Sequence, residues 1–67
     1  GDGMRIELEL FGLSCGHCVM RVRKVLEESG AKVVEITMDR AVIEADGDVE
    51  RFVKAVEDAG YKARVKS

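Results

Sequence analysis

Cys15 and Cys18 are the only cysteines of the chain, and they lie in the stretch Gly12 to Cys18, which reads GLSCGHC. A pair this close in sequence cannot staple distant parts of a fold. Metal or redox chemistry is therefore a better reading than a structural disulfide framework. Two thiolates form a soft donor set that favours Cu(I), and a two-coordinate bis-thiolate complex of that ion carries a single negative charge. Zn(II) prefers four ligands, whereas the loop offers Cys15, Cys18 and at most His17. A C-x-x-C is also a redox motif, and two inert cysteines are the plainest alternative.

The residues that follow show how the pair is held. Cys18, Val19, Val22, Val25 and Leu26 repeat at helical spacing, so the cysteines fall at a helix N-terminus. Unpaired amides and roughly half a positive charge of helix dipole favour an anion there, which predicts thiols that deprotonate easily. His17, between the cysteines, is a candidate metal ligand, most plausibly at a site shared by two molecules; a lone loop histidine is more often simply solvated. Met20 offers a soft thioether but reads as a surface or boundary residue. Arg21, Arg23 and Lys24 cluster on the same helix. Such a run is usually a solvated face, yet beside a metal-transfer site it can steer an acidic partner.

At 67 residues the chain is one small domain, which buries about 60% of the surface its unfolded chain exposes. With 46% hydrophobic and 36% charged residues it has an ordinary globular composition, and no segment has the apolar length of a membrane span. The formal net charge of −2 provides no basic excess for phosphates, so nucleic acid is not an expected partner. With no signal peptide seen, the expectation is a soluble, cytosolic protein that does not insert into membranes. Gly1, Asp2 and Gly3 read as a remnant of cloning before a native start at Met4, leaving 4–67 as a single domain.

Met4, Ile6, Leu8 and Leu10 alternate with Arg5, Glu7 and Glu9, the pattern of a half-buried strand. The helix after the cysteine loop runs to about Ser29 and is stopped by Gly30. Val34, Ile36 and Met38 then alternate as an inward face, Asp39 and Arg40 form a short polar link, and Ala41, Ile43 and Ala45 resume the alternation in a hairpin. Asp48 is a plausible N-cap for a second helix carrying Val49, Phe52, Val53 and Val56, closed by Gly60. Tyr61, Ala63 and Val65 mark a last short strand. The order βαββαβ predicts an α+β, ferredoxin-like open-faced sandwich, with two helices on one face of a four-stranded antiparallel sheet and the first and third strands central. The expected core is Ile6, Leu8, Leu10, Val22, Val25, Leu26, Val34, Ile36, Ile43, Phe52, Val53 and Val56.

GLSCGHC followed by an amphipathic helix, in a βαββαβ chain of this length, resembles the heavy-metal-associated domains. These include small copper chaperones and the cytosolic metal-binding modules of copper-transporting P-type ATPases. The resemblance spans Met4 to about Lys66. It implies metal ligands Cys15 and Cys18, with Cu(I) as cargo and Ag(I), Hg(II) or Zn(II) as further thiophilic ions in vitro. It also implies a partner that is a copper-transporting ATPase or another metal-binding domain, transfer by thiolate exchange without enzymatic turnover, and a monomer that can form a metal-bridged dimer. Leu13 replaces the family's usual Met, a hydrophobic plug beneath the loop, and Ser14 replaces the usual Thr while keeping the hydroxyl. Tyr61 stands where bacterial and ATPase members place an aromatic near the metal loop, with simple packing as the alternative role. The tetrapeptide CGHC is also that of protein disulfide isomerases, which keeps thiol–disulfide exchange as the second reading. Against it, the chain is too short for a thioredoxin fold, contains no proline and has Ser14 where those enzymes carry Trp.

Overall fold

The computed structural model describes residues 4–66, so the reading of Gly1 to Gly3 as a cloning remnant lies outside the described residues. The strict alternation at the start forms β1 (Met4–Phe11), and the cysteine loop leads into α1 (Gly16–Glu28). Then come β2 (Lys32–Ile36), β3 (Arg40–Ala45), α2 (Glu50–Asp58) and β4 (Lys62–Val65). The four strands make one antiparallel sheet in the order β2-β3-β1-β4, with the first and third strands central as expected.

Both helices end in the same way. After α1, Gly30 N–H donates to Glu27 C=O (3.1 Å) and Ala31 N–H to Leu26 C=O (3.0 Å), with Gly30 at φ +103°. After α2, Gly60 N–H donates to Glu57 C=O (2.9 Å) and Tyr61 N–H to Val56 C=O (3.2 Å), with Gly60 at φ +98°. This paired 6→1 and 5→2 closure needs a left-handed residue, which glycine adopts without steric cost. Its consequence for the site is that Tyr61 is fixed directly after the closure of α2. At the start of α2, Val49 already has helical dihedrals, and the cap comes from Asp48, whose Oδ1 accepts from Glu50 N–H at 3.0 Å.

Ile6, Leu8 and Leu10 of β1 meet Val22 and Leu26 of α1, Ala41, Ile43 and Ala45 of β3, and Phe52 and Val56 of α2 in the buried core, which Ala31 also joins. Val25, Ile36 and Val53 are only half-buried. Val34 and Met38 depart from the sequence expectation: both lie in solvent, 45% and 47% exposed. The cause is a bulge in β2. Val33 pairs with Ile43 and Glu35 with Val42, so one residue of β2 is left over between them. The insertion changes the parity of the strand, so Val33 and Ile36 pack against the core while Val34 is turned out. Met38 sits in the link between β2 and β3, where Thr37 Oγ1 accepts from the amides of Asp39 and Arg40, both at 3.2 Å.

The open face of the sheet is cross-linked by charge. Arg40 bridges Glu35 (2.9 Å) and Glu7 (3.7 Å), and Glu7 also meets Lys66 (3.6 Å), a chain of contacts that runs from β2 to the end of β4. Arg5–Glu44 and Arg64–Glu9, each at 3.1 Å, tie β1 to its two neighbours. Exposed pairs of this kind contribute little individually, but they leave this face with its charges largely satisfied.

Candidate metal centre

The end of β1 fixes the start of the loop. Gly12 has φ +88°, a left-handed backbone that favours glycine, and a Cβ placed there would just touch the edge of the Tyr61 ring, 4.0 Å from Cδ1. Leu13 is half-buried and packs against the core. Cys15 follows in extended conformation (φ −160°, ψ 172°) as the N-cap of α1 and makes no side-chain capping bond. Its carbonyl accepts from the amides of Cys18 (3.1 Å) and Val19 (3.3 Å), which opens the helix. Since α1 has no acidic residue in its first turn, the thiolates themselves are the negative groups available to the N-terminal dipole.

The two thiols are free, with Cys15 exposed and Cys18 half-buried, and their sulfurs are 3.5 Å apart. With metal–sulfur bonds of about 2.3 Å, the zinc–thiolate length, sulfurs at that distance would subtend about 100° at an ion, and a linear complex would need them about 4.6 Å apart. Cys15, being exposed, has room to make the adjustment. Among the described residues no group of three or more His, Cys, Asp and Glu side chains is placed to hold a metal, so the pair stands without a third ligand.

Electrostatics distinguish Cys18. Its pKa is lowered from 9.0 to about 6, chiefly because the Tyr61 phenol donates to the thiolate, then through the Ser14 backbone amide and the Cys15 thiol. Partial burial opposes the shift, and the Ser14 hydroxyl, 4.0 Å from the Cys18 sulfur, adds least. Reciprocally, the Tyr61 pKa is raised, because its proton is held by Cys18. Two details were absent from the sequence reading. Tyr61 outweighs the other stabilising groups at the Cys18 thiolate, and Ser14 acts more through its amide than through its hydroxyl. Tyr61 also packs against the core.

His17 is exposed and lines a groove on the outer side of α1 with Met20, Arg21 and Lys24; neither cysteine lines that groove. Arg23 is paired with Glu27 at 3.5 Å, whereas Arg21 lies near enough to Tyr61 to oppose the rise in its pKa. Of the three basic residues, Arg21 is the one that acts on Tyr61 beside the thiols. Among the described residues no helix is long and apolar enough to cross a membrane.

The sequence profile of the heavy-metal-associated domain matches residues 7–62. The chain belongs to the heavy-metal-associated domain family. It is 52% identical, in an alignment of 69 positions that covers all of this chain, to a probable copper-exporting P-type ATPase of Archaeoglobus fulgidus, of which it spans 9%. It is 53% identical over 64 residues to the copper chaperone CopZ of the same organism, an alignment covering 92% of this chain and 31% of that protein. The crystal structure of the CopA C-terminal metal binding domain superposes with a TM-score of 0.77 at 53% identity, covering 84% of this chain and 79% of that one. The chain thus spans less than a third of either curated relative. Close homology to copper chaperones and ATPase metal-binding domains supports metal binding and transfer as the family activity and gives no support to the disulfide-exchange reading.

Proposed function

We propose that this domain carries one Cu(I) between Cys15 and Cys18 and passes it on by thiolate exchange. The observation that carries the reading is the pair of free thiols, 3.5 Å apart at an uncapped helix N-terminus, with Cys18 already a thiolate near neutral pH. The soft sulfur pair suits Cu(I), and the single negative charge of the complex lies where the α1 dipole and the Tyr61 phenol stabilise it. Ag(I), Hg(II) and Zn(II) are further ions that the pair can hold in vitro, zinc being least suited because it would lack two ligands.

Transfer is a ligand substitution in which the ion stays Cu(I) throughout. A thiolate of the partner forms a third sulfur–copper bond. The bond to one host cysteine then breaks, and that sulfur leaves with its electron pair as a thiolate, taking a proton from solvent only where the pH lies below its pKa. A second partner thiolate repeats the step. Nothing is turned over, so the domain acts as a carrier and has no enzymatic role. The partner is a copper-exporting P-type ATPase or another metal-binding domain, met in the cytoplasm, with Arg21 and Lys24 steering its acidic surface and Arg23 contributing less because of its bond to Glu27. The apo protein is a monomer.

Titration of the reduced protein against a colorimetric Cu(I) chelator tests the reading. One ion per chain should be held tightly, and Cys15→Ser or Cys18→Ser should abolish this. Tight binding that survives either substitution would place the ligands elsewhere.

A further inference from the structure

The sheet has two unlike edges. In the order β2-β3-β1-β4 the outer strands are β2 and β4, and each has one side without a strand partner among the described residues. β2 carries the bulge between Val33 and Glu35, a feature that turns an edge away from further pairing. β4 is regular, with Leu8 to Phe11 pairing with Val65 to Lys62 without a shift. The ladder shows which of its backbone groups are free. Lys66 N–H donates to Glu7 C=O at 2.8 Å, and bonded and non-bonded pairs alternate along an antiparallel ladder, so Glu9–Arg64 and Phe11–Lys62 are the next bonded pairs. On the other side of β1, Leu10 N–H donates to Asp39 C=O at 2.8 Å, which gives the same phase. Ala63 and Val65 therefore turn their N–H and C=O groups away from β1, along the open edge.

The side chains beside those groups are sorted by sign. Lys62, Arg64 and Lys66 lie on the open face of the sheet, and no acid interrupts them between Lys62 and Lys66. Arg64 and Lys66 meet Glu9 and Glu7, yet their side chains remain 74% and 57% exposed and keep donors to spare, while Lys62 makes no ion pair among the described residues. On the opposite face, Ala63 packs against the core and Val65 is 41% exposed. Lysines on a short edge hold neutral strands off. They also oppose a second copy, whose β4 would bring the same charges into register. An extended segment with acids at alternate positions is the occupant that this edge admits.

We propose that the free edge of β4 docks an extended segment of a partner protein as a fifth, antiparallel strand, with acidic side chains of that segment over Lys62, Arg64 and Lys66 and apolar ones beside Val65. Backbone bonds to Ala63 and Val65 supply the pairing, and the alternation of acid and apolar side chains supplies the selectivity. β4 starts at the metal end, since Lys62 lies opposite Phe11 where β1 enters the cysteine loop. An antiparallel segment therefore runs toward that end and leaves the edge beside Tyr61, with the loop uncovered. The four residues of β4 span only about 13 Å, so the contact is short and its binding weak. Its purpose rests on the copper-carrier reading, because a partner held at the edge would keep its thiols close to a loop still free to exchange; the docking itself does not depend on copper.

An octapeptide alternating Glu and Val, added to the reduced, isotope-labelled protein with and without one Cu(I) per chain, tests the proposal. The largest amide shifts should lie along β4, and hydrogen exchange at the Ala63 and Val65 amides should slow at least about tenfold at saturation. An octapeptide alternating Lys and Val should bind at least about tenfold more weakly. The variant with Lys62→Glu and Lys66→Glu should exchange these preferences. Val65→Pro removes an outward donor without removing a bond to β1, at a position where edge strands accept proline, and should weaken binding with every charge in place. Equal binding of the two peptides by the native protein, shifts confined to the helices, or unchanged exchange at Ala63 and Val65 would overturn the proposal. Association of native copies through β4 without peptide would do the same by making a second copy the occupant. Chelator titration of the same samples reads the copper site separately, so failure of the carrier reading is distinguished from failure of the docking edge.

Discussion

Replacing Tyr61 with Phe should raise the Cys18 pKa from about 6 toward its ordinary value of 9.0, because the phenol is the largest of the groups that lower it. The remaining donors, the Ser14 amide and the Cys15 thiol, should keep it from returning all the way. With a pKa of about 6, Cys18 is roughly nine-tenths thiolate at pH 7; with one of 9.0 it would be about one-hundredth. Nucleophilicity falls with pKa by a Brønsted coefficient of about 0.4–0.5, so each Cys18 thiolate is about 20-fold less reactive than an ordinary one. The two effects leave an advantage of only about fourfold at pH 7, so a single rate is a poor diagnostic. The whole pH profile of Cys18 alkylation, resolved from Cys15 by peptide mass mapping, is the decisive assay. The native curve should have its midpoint near 6 and a low plateau, whereas Tyr61→Phe should move the midpoint up and raise the plateau. The same shift predicts a sign for stability. Between about pH 6 and 9.0 the unfolded chain keeps the Cys18 proton and the folded chain does not, so apo stability rises with pH there and loses this contribution as pH falls through 6. An unchanged midpoint in Tyr61→Phe would refute the assignment of the phenol as principal donor.

Two further outcomes follow from where side chains lie. His17→Ala should leave monomeric Cu(I) affinity within about tenfold, since a residue that is not a ligand contributes at most about 1.4 kcal/mol of indirect effect; a loss of several orders of magnitude in chelator competition would make it a ligand. Val34→Thr should change stability by less than about 0.5 kcal/mol in urea unfolding, because the bulge has already turned Val34 into solvent. Ile43→Ala, at a fully buried position, should cost about 2–5 kcal/mol in the same measurement. Equal costs at the two positions would mean that β2 pairs without its bulge.

The elements legible in the sequence are those whose pattern is strictly local. Unbroken alternation revealed β1 and β3, apolar spacing and a following glycine revealed both helices, and two cysteines at a helix start pointed to metal or redox chemistry. β2 was misread on one face because a bulge is set by the partner strand: nothing within Lys32–Ile36 states that Val33 and Ile36 share the inward side. Assigning Met38 to the core extended the same unbroken period into a turn. Tyr61 could be suspected only through the family likeness, since its contact with the loop is made across the fold.

That contact explains how so exposed a site can be chemically distinctive. The exchange proposed above needs a thiol pair open to a second protein, so burial cannot be the means by which its acidity is set, and here burial in fact opposes the shift. The lowering comes from donors that do not cover the sulfur. The helix start and the Ser14 amide are supplied by the loop itself, and the phenol is carried in from the end of α2. The Gly60 closure directs the chain so that Tyr61 packs against the core, from where its phenol lowers the Cys18 pKa. Packing thus places the phenol from the core side, and Cys15 stays exposed. A larger or more flexible residue at 61 would have to choose between the two tasks. Gly12, with φ +88°, turns the chain out of β1 beside the edge of that ring.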